Sequence, residues 1–479
     1  MSNADIAVIG IGVMGSQLAL QLEERGSSVA LFDEFSPQAA QQLIDKEEGK
    51  RFVTAQGLED MLALLAKPRK ILLMIKAGSP VDDYIEKLLP LLDPGDVIID
   101  GGNSHYEDTE RRCKRTQEAG VHFVGTGISG GEEGARYGAS LMPGGAEEAW
   151  PIVKKELTSL SAFAYDETAC CHWMGAGGAG HFVKMVHNGI EYGCMQLLGE
   201  AFHVAKHILQ KDHETIYRAF TSWKDGPMAG FLMEITADIL GKKDAETGEP
   251  LVEVILDRAG QKGTGRWTCQ LALEHGISVP TIEAAVTTRI ISSAPQQRRT
   301  LHAHLPTLSL PTEGLPSLDM DALQNALYGA TFCTYIQGFH MLQRASEEHH
   351  WQLPFADIAR IWTGGCIIRA RMLEDFRALY EDTQTPDNLL GSALFRDIWQ
   401  QTAASWRQVL LHTTAQGVPT PAFSSALAFV DAFRQPVLPT QLIQAQRDYF
   451  GAHQYERTDK EGRFHTHWLA GNTLTSDPV

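Results

Sequence analysis

The run Ile6-Ala7-Val8-Ile9-Gly10-Ile11-Gly12-Val13-Met14-Gly15 decides the fold. Four apolar residues without a charge read as a buried strand, and the glycines that follow break it. From Ser16 to Arg25 apolar positions return at helical spacing. Strand, glycine turn and helix in that order form a first βα unit. The G-x-G-x-x-G pattern there lets backbone N–H groups at a helix N-terminus approach a pyrophosphate. Gly10, Ile11, Gly12, Val13, Met14 and Gly15 are therefore candidate dinucleotide-binding residues. A second apolar run, Val29 to Phe32, ends on Asp33-Glu34, eighteen residues beyond Gly15. A carboxylate at that place accepts hydrogen bonds from the adenosine ribose hydroxyls and repels a 2′-phosphate.

Further strands are expected at Ile71–Ile75, Val97–Ile99 and His122–Val124, separated by amphipathic stretches. Such alternation implies βαβ units and a parallel sheet. Near Gly178 the pattern changes. Phe182, Val183, Met185, Val186, Ile190, Leu197, Leu198, Ala201 and Phe202 recur at helical spacing, and strand-like alternation is almost absent for the next two hundred residues. The expected architecture is an α/β Rossmann-type N-terminal domain over 1–177, a large all-α domain over 178–435 and a C-terminal tail over 436–479. The glycine-rich segment Gly175–Gly180 is read as a hinge. Gly241–Pro250 and His302–Pro316 are read as surface loops, and the tail as too poor in apolar residues for a core of its own.

With 479 residues, the chain is about three times the usual domain length. Its 43% hydrophobic and 21% charged residues fit a globular protein, and its net charge of −18 disfavours nucleic acid or an anionic membrane as partner. No stretch approaches 18 uninterrupted apolar residues, and no basic segment precedes the first apolar run, so neither a membrane span nor an export signal is expected. Seven cysteines, two of them adjacent (Cys170, Cys171) and none in C-x-x-C spacing, argue against a disulfide framework and a zinc site. The expected compartment is the cytoplasm, and no metal site is expected.

Lys184, His187, Asn188 and Glu191 stand at i, i+3, i+4 and i+7, on one helical face. Polar groups gathered beside an apolar stripe read either as the lining of a cleft or as a solvated face. A lysine in a cleft can remove a hydroxyl proton, provided burial or neighbouring positive charge lowers its pKa from ~10.4 toward ~7–8. Lys262 and other cations are expected to supply part of that shift.

Five longer stretches narrow the choice. These are Asp100-Gly101-Gly102-Asn103-Ser104, Gly127-Ile128-Ser129-Gly130-Gly131-Glu132, the segment Gly180–Tyr192, Ala259-Gly260-Gln261-Lys262-Gly263-Thr264-Gly265 and the segment Leu442–His453. Together and in this order they resemble the decarboxylating 6-phosphogluconate dehydrogenases, within the β-hydroxyacid dehydrogenase superfamily. The resemblance implies oxidative decarboxylation of 6-phospho-D-gluconate to D-ribulose 5-phosphate and CO2 with reduction of NAD(P), in the pentose phosphate pathway and gluconate utilization. It also implies a homodimer whose C-terminal tail reaches the partner's active site.

By the same resemblance, Lys184 is the general base and then acid, and Glu191 the general acid. Asn103, Ser129, Gly130, Gly131, His187 and Asn188 hold the substrate's carboxylate and hydroxyls. Tyr192, Lys262, Arg289 and Arg447 surround its phosphate, with His453 nearby. Ile75, Lys76, Ala77 and Asn103 join the glycine turn and Asp33, Glu34 and Phe35 around the cofactor. One departure stands out. Where the family has Asn-Arg-Thr, with the arginine on the 2′-phosphate of NADP, this chain has Asp33-Glu34-Phe35. NAD is the expected cofactor, and NADP the alternative if Lys76 or Arg69 meets the phosphate. Two other readings remain: an NAD-linked β-hydroxyacid dehydrogenase of another small acid, and a catalytically silent nucleotide-binding regulator.

Overall fold

The computed structural model describes residues 3–469 and, as backbone, Leu474–Thr475. Contacts divide the chain into two units, Met1–Ala426 and Leu427–Val479. The first begins with seven strands: β1 (Ile6–Ile9), β2 (Val29–Phe32), β3 (Phe52–Thr54), β4 (Lys70–Leu73), β5 (Val97–Asp100), β6 (His122–Ile128) and β7 (Leu141–Gly145). They form one sheet in the order β3-β2-β1-β4-β5-β6-β7, parallel from β3 to β6 with β7 antiparallel at the edge. Every residue of β1, β2 and β5 is buried, as a sheet covered on both faces requires.

Because side chains alternate along a strand, β1 feeds two cores. Ile6 and Val8 pack with Leu18 and Leu22 of helix α1 (Val13–Glu24), and Ala7 and Ile9 pack with Val81 and Ile85 of α2 (Ser79–Leu88). The strand order reverses at β1, between β2 and β4, so the crevice above the carboxyl ends of these strands is where such a sheet takes its ligand.

Two strands of this sheet escaped the sequence reading. β3 is three residues long, too short to show alternation, and β7 is Leu-Met-Pro-Gly-Gly. On the outer side of β7, Leu141 and Gly145 donate to the Cys170 (2.8 Å) and Gly175 (3.0 Å) carbonyls, while Pro143 between them is tolerated because it only accepts, from the Met174 N–H (2.7 Å). α1 starts at Val13 rather than Ser16, and β4 closes at Leu73 rather than Ile75. Arg69 stands at the opposite end of β4 from the crevice. Its guanidinium is engaged by Asp93 (3.0 Å) and Asp96 (2.9 Å), which removes it as a partner for a cofactor phosphate.

After α3 (Tyr106–Gln117), the helical part opens with α4 (Ala179–His207), which lies directly on β6 and β7. A side chain at Gly180 would stand 2.3 Å from the Met142 carbonyl oxygen, and one at Gly127 2.3 Å from Cβ of Lys184. The glycines expected to form a hinge therefore let backbone meet backbone in a close-packed seam. Around α4 gather α5 (Thr264–Glu274), α6 (Pro280–Ser292) and α7 (Met320–His349), and α8 (Ala393–Gln416) packs along α7. Glu200 of α4, buried, accepts from the backbone N–H groups of Ala422 (2.9 Å) and Phe423 (3.0 Å) at the start of α9 (Pro421–Arg434).

In the second unit, α10 (Thr440–Gly451) is followed by three short antiparallel strands, β8 (Tyr455–Glu456), β9 (Arg463–Thr466) and β10 (Leu474–Thr475), in the order β10-β9-β8. Its organising element is polar. Asp448, 0% exposed, accepts from the Gln454 N–H (3.0 Å), His465 Nδ1 (2.9 Å), the Thr466 N–H (3.0 Å) and Trp468 Nε1 (2.9 Å).

Candidate active site

The crevice above β1, β2, β4 and β5 is lined as the glycine motif requires. Gly10 has φ +95°, and a side chain there would stand 2.6 Å from the Met74 carbonyl oxygen. A side chain at Gly12 would meet nothing within 4 Å, and Val13 is 61% exposed. An open cradle thus faces the first turn of α1, whose leading N–H groups have no acceptor within the helix. Asp33 joins this turn to the end of β2: its Oδ2 accepts from the Ile11 N–H (2.8 Å), and its Oδ1 from the N–H groups of Phe35 (3.1 Å) and Ser36 (2.8 Å). An ionised carboxylate has about four acceptor positions, so Oδ2 keeps one for a ribose hydroxyl. These residues fit a nicotinamide dinucleotide.

Glu34 does not stand as a bare anion. Lys87 of α2 donates to both its carboxylate oxygens, at 2.8 and 2.7 Å. This qualifies the expectation that two unopposed anions face the 2′-position. Phe35 is 83% exposed, and Ile75, Lys76 and Ala77 follow β4 at the same crevice, with Lys76 exposed.

The loop after β5 is held from below. Asp100 accepts from the Gly102 N–H (3.0 Å) and the Ser104 hydroxyl (2.6 Å), while the buried Arg112 reaches Asp100 (3.3 Å) and Asp82 (2.8 Å). Asn103 is left exposed on this loop, and a side chain at Gly102 would lie 3.4 Å from the Ile75 carbonyl oxygen, so the β4 and β5 loops adjoin. His105 packs edge-on against Trp267 at 5.2 Å, which brings the same loop to α5.

On α4, the four residues at helical spacing form no solvated face: two are buried and two half-buried. Lys184 is 6% exposed and His187 0%. Lys184 Nζ lies 3.4 Å from His187 Nδ1, which is also 3.0 Å from Asn188 Oδ1; His187 Nε2 is 3.0 Å from Ser129 Oγ. Asn188 Nδ2 donates to the Thr264 hydroxyl at 3.2 Å. With Nδ1–H turned to Asn188, the ring is the tautomer whose Nε2 accepts from Ser129. Tyr192 lies under the Arg289 guanidinium at 3.5 Å, and Arg289 also donates to the Gly260 carbonyl at 3.2 Å.

Electrostatics at this face follow from burial. Burial brings Lys184 down to about 8 from the ordinary 10.5, against the opposing pull of Glu191 and Cys366. Of the two expected causes burial is the one that acts; Lys262, expected to supply part of the shift, is exposed and does not contribute. Burial, helped by Lys184, keeps His187 well below its ordinary range and hence neutral. Glu191 is raised by burial, with Lys184 and Arg289 opposing. A lysine ready to lose a proton and a carboxyl ready to hold one share one face.

Ser129, Gly130, Lys184, His187, Asn188, Glu191, Tyr192 and Arg289 are thus assembled around α4, and Gly131 opens the short helix Gly131–Tyr137 beside Gly130. Lys262 stands two residues before Thr264 on the loop leading into α5. Arg447 and His453 belong to the second unit, where both are exposed. The sequence reading missed Thr264, the hydroxyl that orients Asn188, and the segment Gly364-Gly365-Cys366. A side chain at Gly130 would stand 2.6 Å from the Gly365 carbonyl oxygen, and Cys366 is close enough to Lys184 to oppose its shift. The adjacent glycines at 364–365 in an otherwise helical region were the available signal.

Comparison with known proteins finds likeness along nearly the whole chain. Residues 5–175 match the family described as NAD binding domain of 6-phosphogluconate dehydrogenase, and residues 180–468 the family described as 6-phosphogluconate dehydrogenase, C-terminal domain. The NADP(+)-dependent, decarboxylating 6-phosphogluconate dehydrogenase of Bacillus subtilis strain 168 is 48% identical, over 98% of this chain and 100% of its own length. The decarboxylating 6-phosphogluconate dehydrogenase of Homo sapiens is 45% identical over 99% of both. The structure of Plasmodium falciparum 6-phosphogluconate dehydrogenase, described as apo, with its cofactor NADP+ and with its substrate 6-phosphogluconate, superposes with a TM-score of 0.93. It is 41% identical and covers 97% of this chain and 100% of that one. A dinucleotide crevice, a buried lysine paired with a raised carboxyl and full-length likeness at this identity have one common source: the chain belongs to the 6-phosphogluconate dehydrogenase family.

Proposed function

We propose that this chain converts 6-phospho-D-gluconate to D-ribulose 5-phosphate and CO2 at the expense of a nicotinamide dinucleotide, with NAD preferred over NADP, as a cytoplasmic homodimer. The observation that carries the reading is Lys184, buried and brought to about 8 beside a neutral His187 and a Glu191 with raised pKa. The dinucleotide, held by the glycine turn, Asp33 and the β4 loop, supplies the hydride acceptor when bound. Neutral Lys184 takes the proton of the C3 hydroxyl. Oxidation at C3 leaves a β-keto acid, and protonated Lys184 returns its proton to the C3 carbonyl oxygen as the C1–C2 bond breaks and CO2 leaves with the carboxylate carbon. Glu191 then protonates the resulting enediol at the carbon that lost CO2, while Lys184 recovers the hydroxyl proton; passage of that proton from Lys184 to the Glu191 carboxylate restores the starting neutral lysine and protonated carboxyl, with no net proton released.

Ser129, His187, Asn188 and Asn103 orient carboxylate and hydroxyls. Arg289, lying over Tyr192, and Lys262 meet the phosphate, joined by Arg447 and His453 from the partner's tail. The preference for NAD is supported by Asp33 and by a glutamate at the place of the family's arginine. The name of the Bacillus subtilis relative favours NADP, so the two cofactors are to be compared directly. Steady-state assays following dinucleotide reduction and CO2 release with each cofactor test both levels. Reduction without stoichiometric CO2 would overturn the reaction, and a kcat/KM favouring NADP would overturn the cofactor preference alone.

A further inference from the structure

In the second unit, the turn carrying His453 has a conformation that its residues do not favour. Ala452 and Gln454, the two neighbours of His453, have φ +50° and +57°, in the left-handed region where a side chain is crowded by its own backbone. Two such residues one apart persist only where surrounding bonds over-determine them.

Those bonds are present, and they lead to Arg447. The Gln454 N–H donates to Asp448 Oδ1 at 3.0 Å, and the Gln454 carbonyl accepts from Gln444 Nε2 at 2.5 Å. The other end of the same Gln444 amide, Oε1, accepts from Arg447 Nη1 at 3.1 Å. Asp448 is in turn fixed by His465, Thr466 and Trp468. The turn is thus held at both backbone groups of Gln454, its N–H and its carbonyl, by two residues of α10, one of which also holds the arginine. Arg447 and His453 are themselves exposed, whereas Asp448 is buried and Gln444 and Gln454 half-buried. Beneath two exposed groups suited to an anion lies a polar scaffold with no exposed function of its own.

We propose that Gln444 and Asp448 are positioning residues for the substrate phosphate: they lock the Ala452–Gln454 turn so that Arg447 and His453 are presented together as a preformed two-point receptor. The inference rests on the reading that Arg447 and His453 meet the phosphate. A preset pair binds more tightly because less freedom is lost on binding. Without the clamp each group still exists, but the two no longer share one geometry. The loss falls on binding of the phosphorylated end and spares the chemistry at C3.

The full-length chain is used, with Gln444→Ala and Asp448→Asn tested beside Arg447→Ala. KM for 6-phosphogluconate, KM for the dinucleotide, kcat, and inhibition by inorganic phosphate are measured, with sedimentation to confirm that the assembled state is unchanged. Both clamp variants are expected to raise KM for 6-phosphogluconate by about tenfold, the scale of one or two lost hydrogen bonds, and to weaken phosphate inhibition in parallel. Their kcat and dinucleotide KM are expected to stay within about threefold of wild type. If Arg447→Ala raises KM and the clamp variants leave it unchanged, the clamp is refuted and the phosphate reading stands. If Arg447→Ala itself changes neither KM nor phosphate inhibition, the underlying reading fails and the clamp with it. A fall in kcat with KM untouched also overturns the proposal. Should Asp448→Asn disorder the tail, Gln444→Ala decides.

Discussion

Lys184 offers a prediction in which activity and stability move in opposite directions. Its ammonium is brought from 10.5 to about 8 by burial, a preference for the neutral form of about 3 kcal/mol. At pH 7 roughly one lysine in ten is then neutral, against about three in ten thousand for an unperturbed one. For the oxidation step, kcat/KM measured with C3-deuterated substrate should rise about tenfold per pH unit up to a limb near 8 and then level. The same shift costs stability. The unfolded chain holds the Lys184 proton up to about 10.5 and the folded chain only to about 8, so folding is penalised fully below pH 8, less as the pH rises, and not at all above 10.5. Lys184→Met should therefore abolish turnover while unfolding at a higher temperature than wild type at pH 7, by up to about 3 kcal/mol. Removing Lys184 also removes one of the charges that oppose the burial-driven rise of Glu191. The advantage should shrink between pH 8 and 10.5. A kcat/KM limb near 10, or a Lys184→Met protein less stable than wild type at pH 7, would refute the reasoning.

At the cofactor, Glu34→Arg should move kcat/KM toward NADP by about 1.5–3 kcal/mol, and Lys87→Met should move it further toward NAD because the Glu34 charge loses its partner. Both are to be read at low and moderate salt, where the effects should weaken with screening. Glu191→Gln should spare oxidation and slow enediol protonation by about 10²–10⁴, seen as delayed uptake of solvent deuterium into the product at C1. A mixed dimer of one Lys184→Ala subunit and one Arg447→Ala subunit should keep about half the activity, since one composite site holds both residues; complete inactivity would refute the shared site. Glu200 is pushed up to about 7 by burial against the pull of Phe423, Ala422 and Gln196, so its stabilising contribution is full below about 4.5 and lost as the pH rises through 7. The Tm difference between Glu200→Gln and wild type should accordingly grow in the variant's favour from pH 5 to 8.

Much of this was legible along the chain because the physics is local. The strand from Ile6 to Ile9 and the glycine turn needed only periodicity and the φ of Gly10, and the polar face from Lys184 to Glu191 needed only helical spacing. What stayed hidden depends on partners distant in sequence. Nothing local says that Lys87 sits on Glu34, that Asp33 spends its oxygens on the Ile11, Phe35 and Ser36 backbone, or that Arg69 lies at the wrong end of β4. For the Lys184 shift the sequence leaves two causes open, burial and neighbouring positive charge, and only packing decides between them: burial acts. β7 was hidden by composition, since a strand written Leu-Met-Pro-Gly-Gly satisfies its edge position and no propensity scale.

The seam between α4 and the sheet limits how freely this enzyme's parts can be exchanged. Swapping the dinucleotide-binding half of one family member for another's, to import a different cofactor preference, treats the two halves as modules with a passive join. Here Cβ of Lys184 rests against the bare backbone of Gly127, and Gly180 against the carbonyl of Met142. A single methyl group brought in on either side would lift the helix and carry the base away from the hydride path, and a displacement near 1 Å can cost about a hundredfold in rate. A working chimera would have to cut before β6 or after α4, so that strand, edge and catalytic helix travel together as one inherited piece.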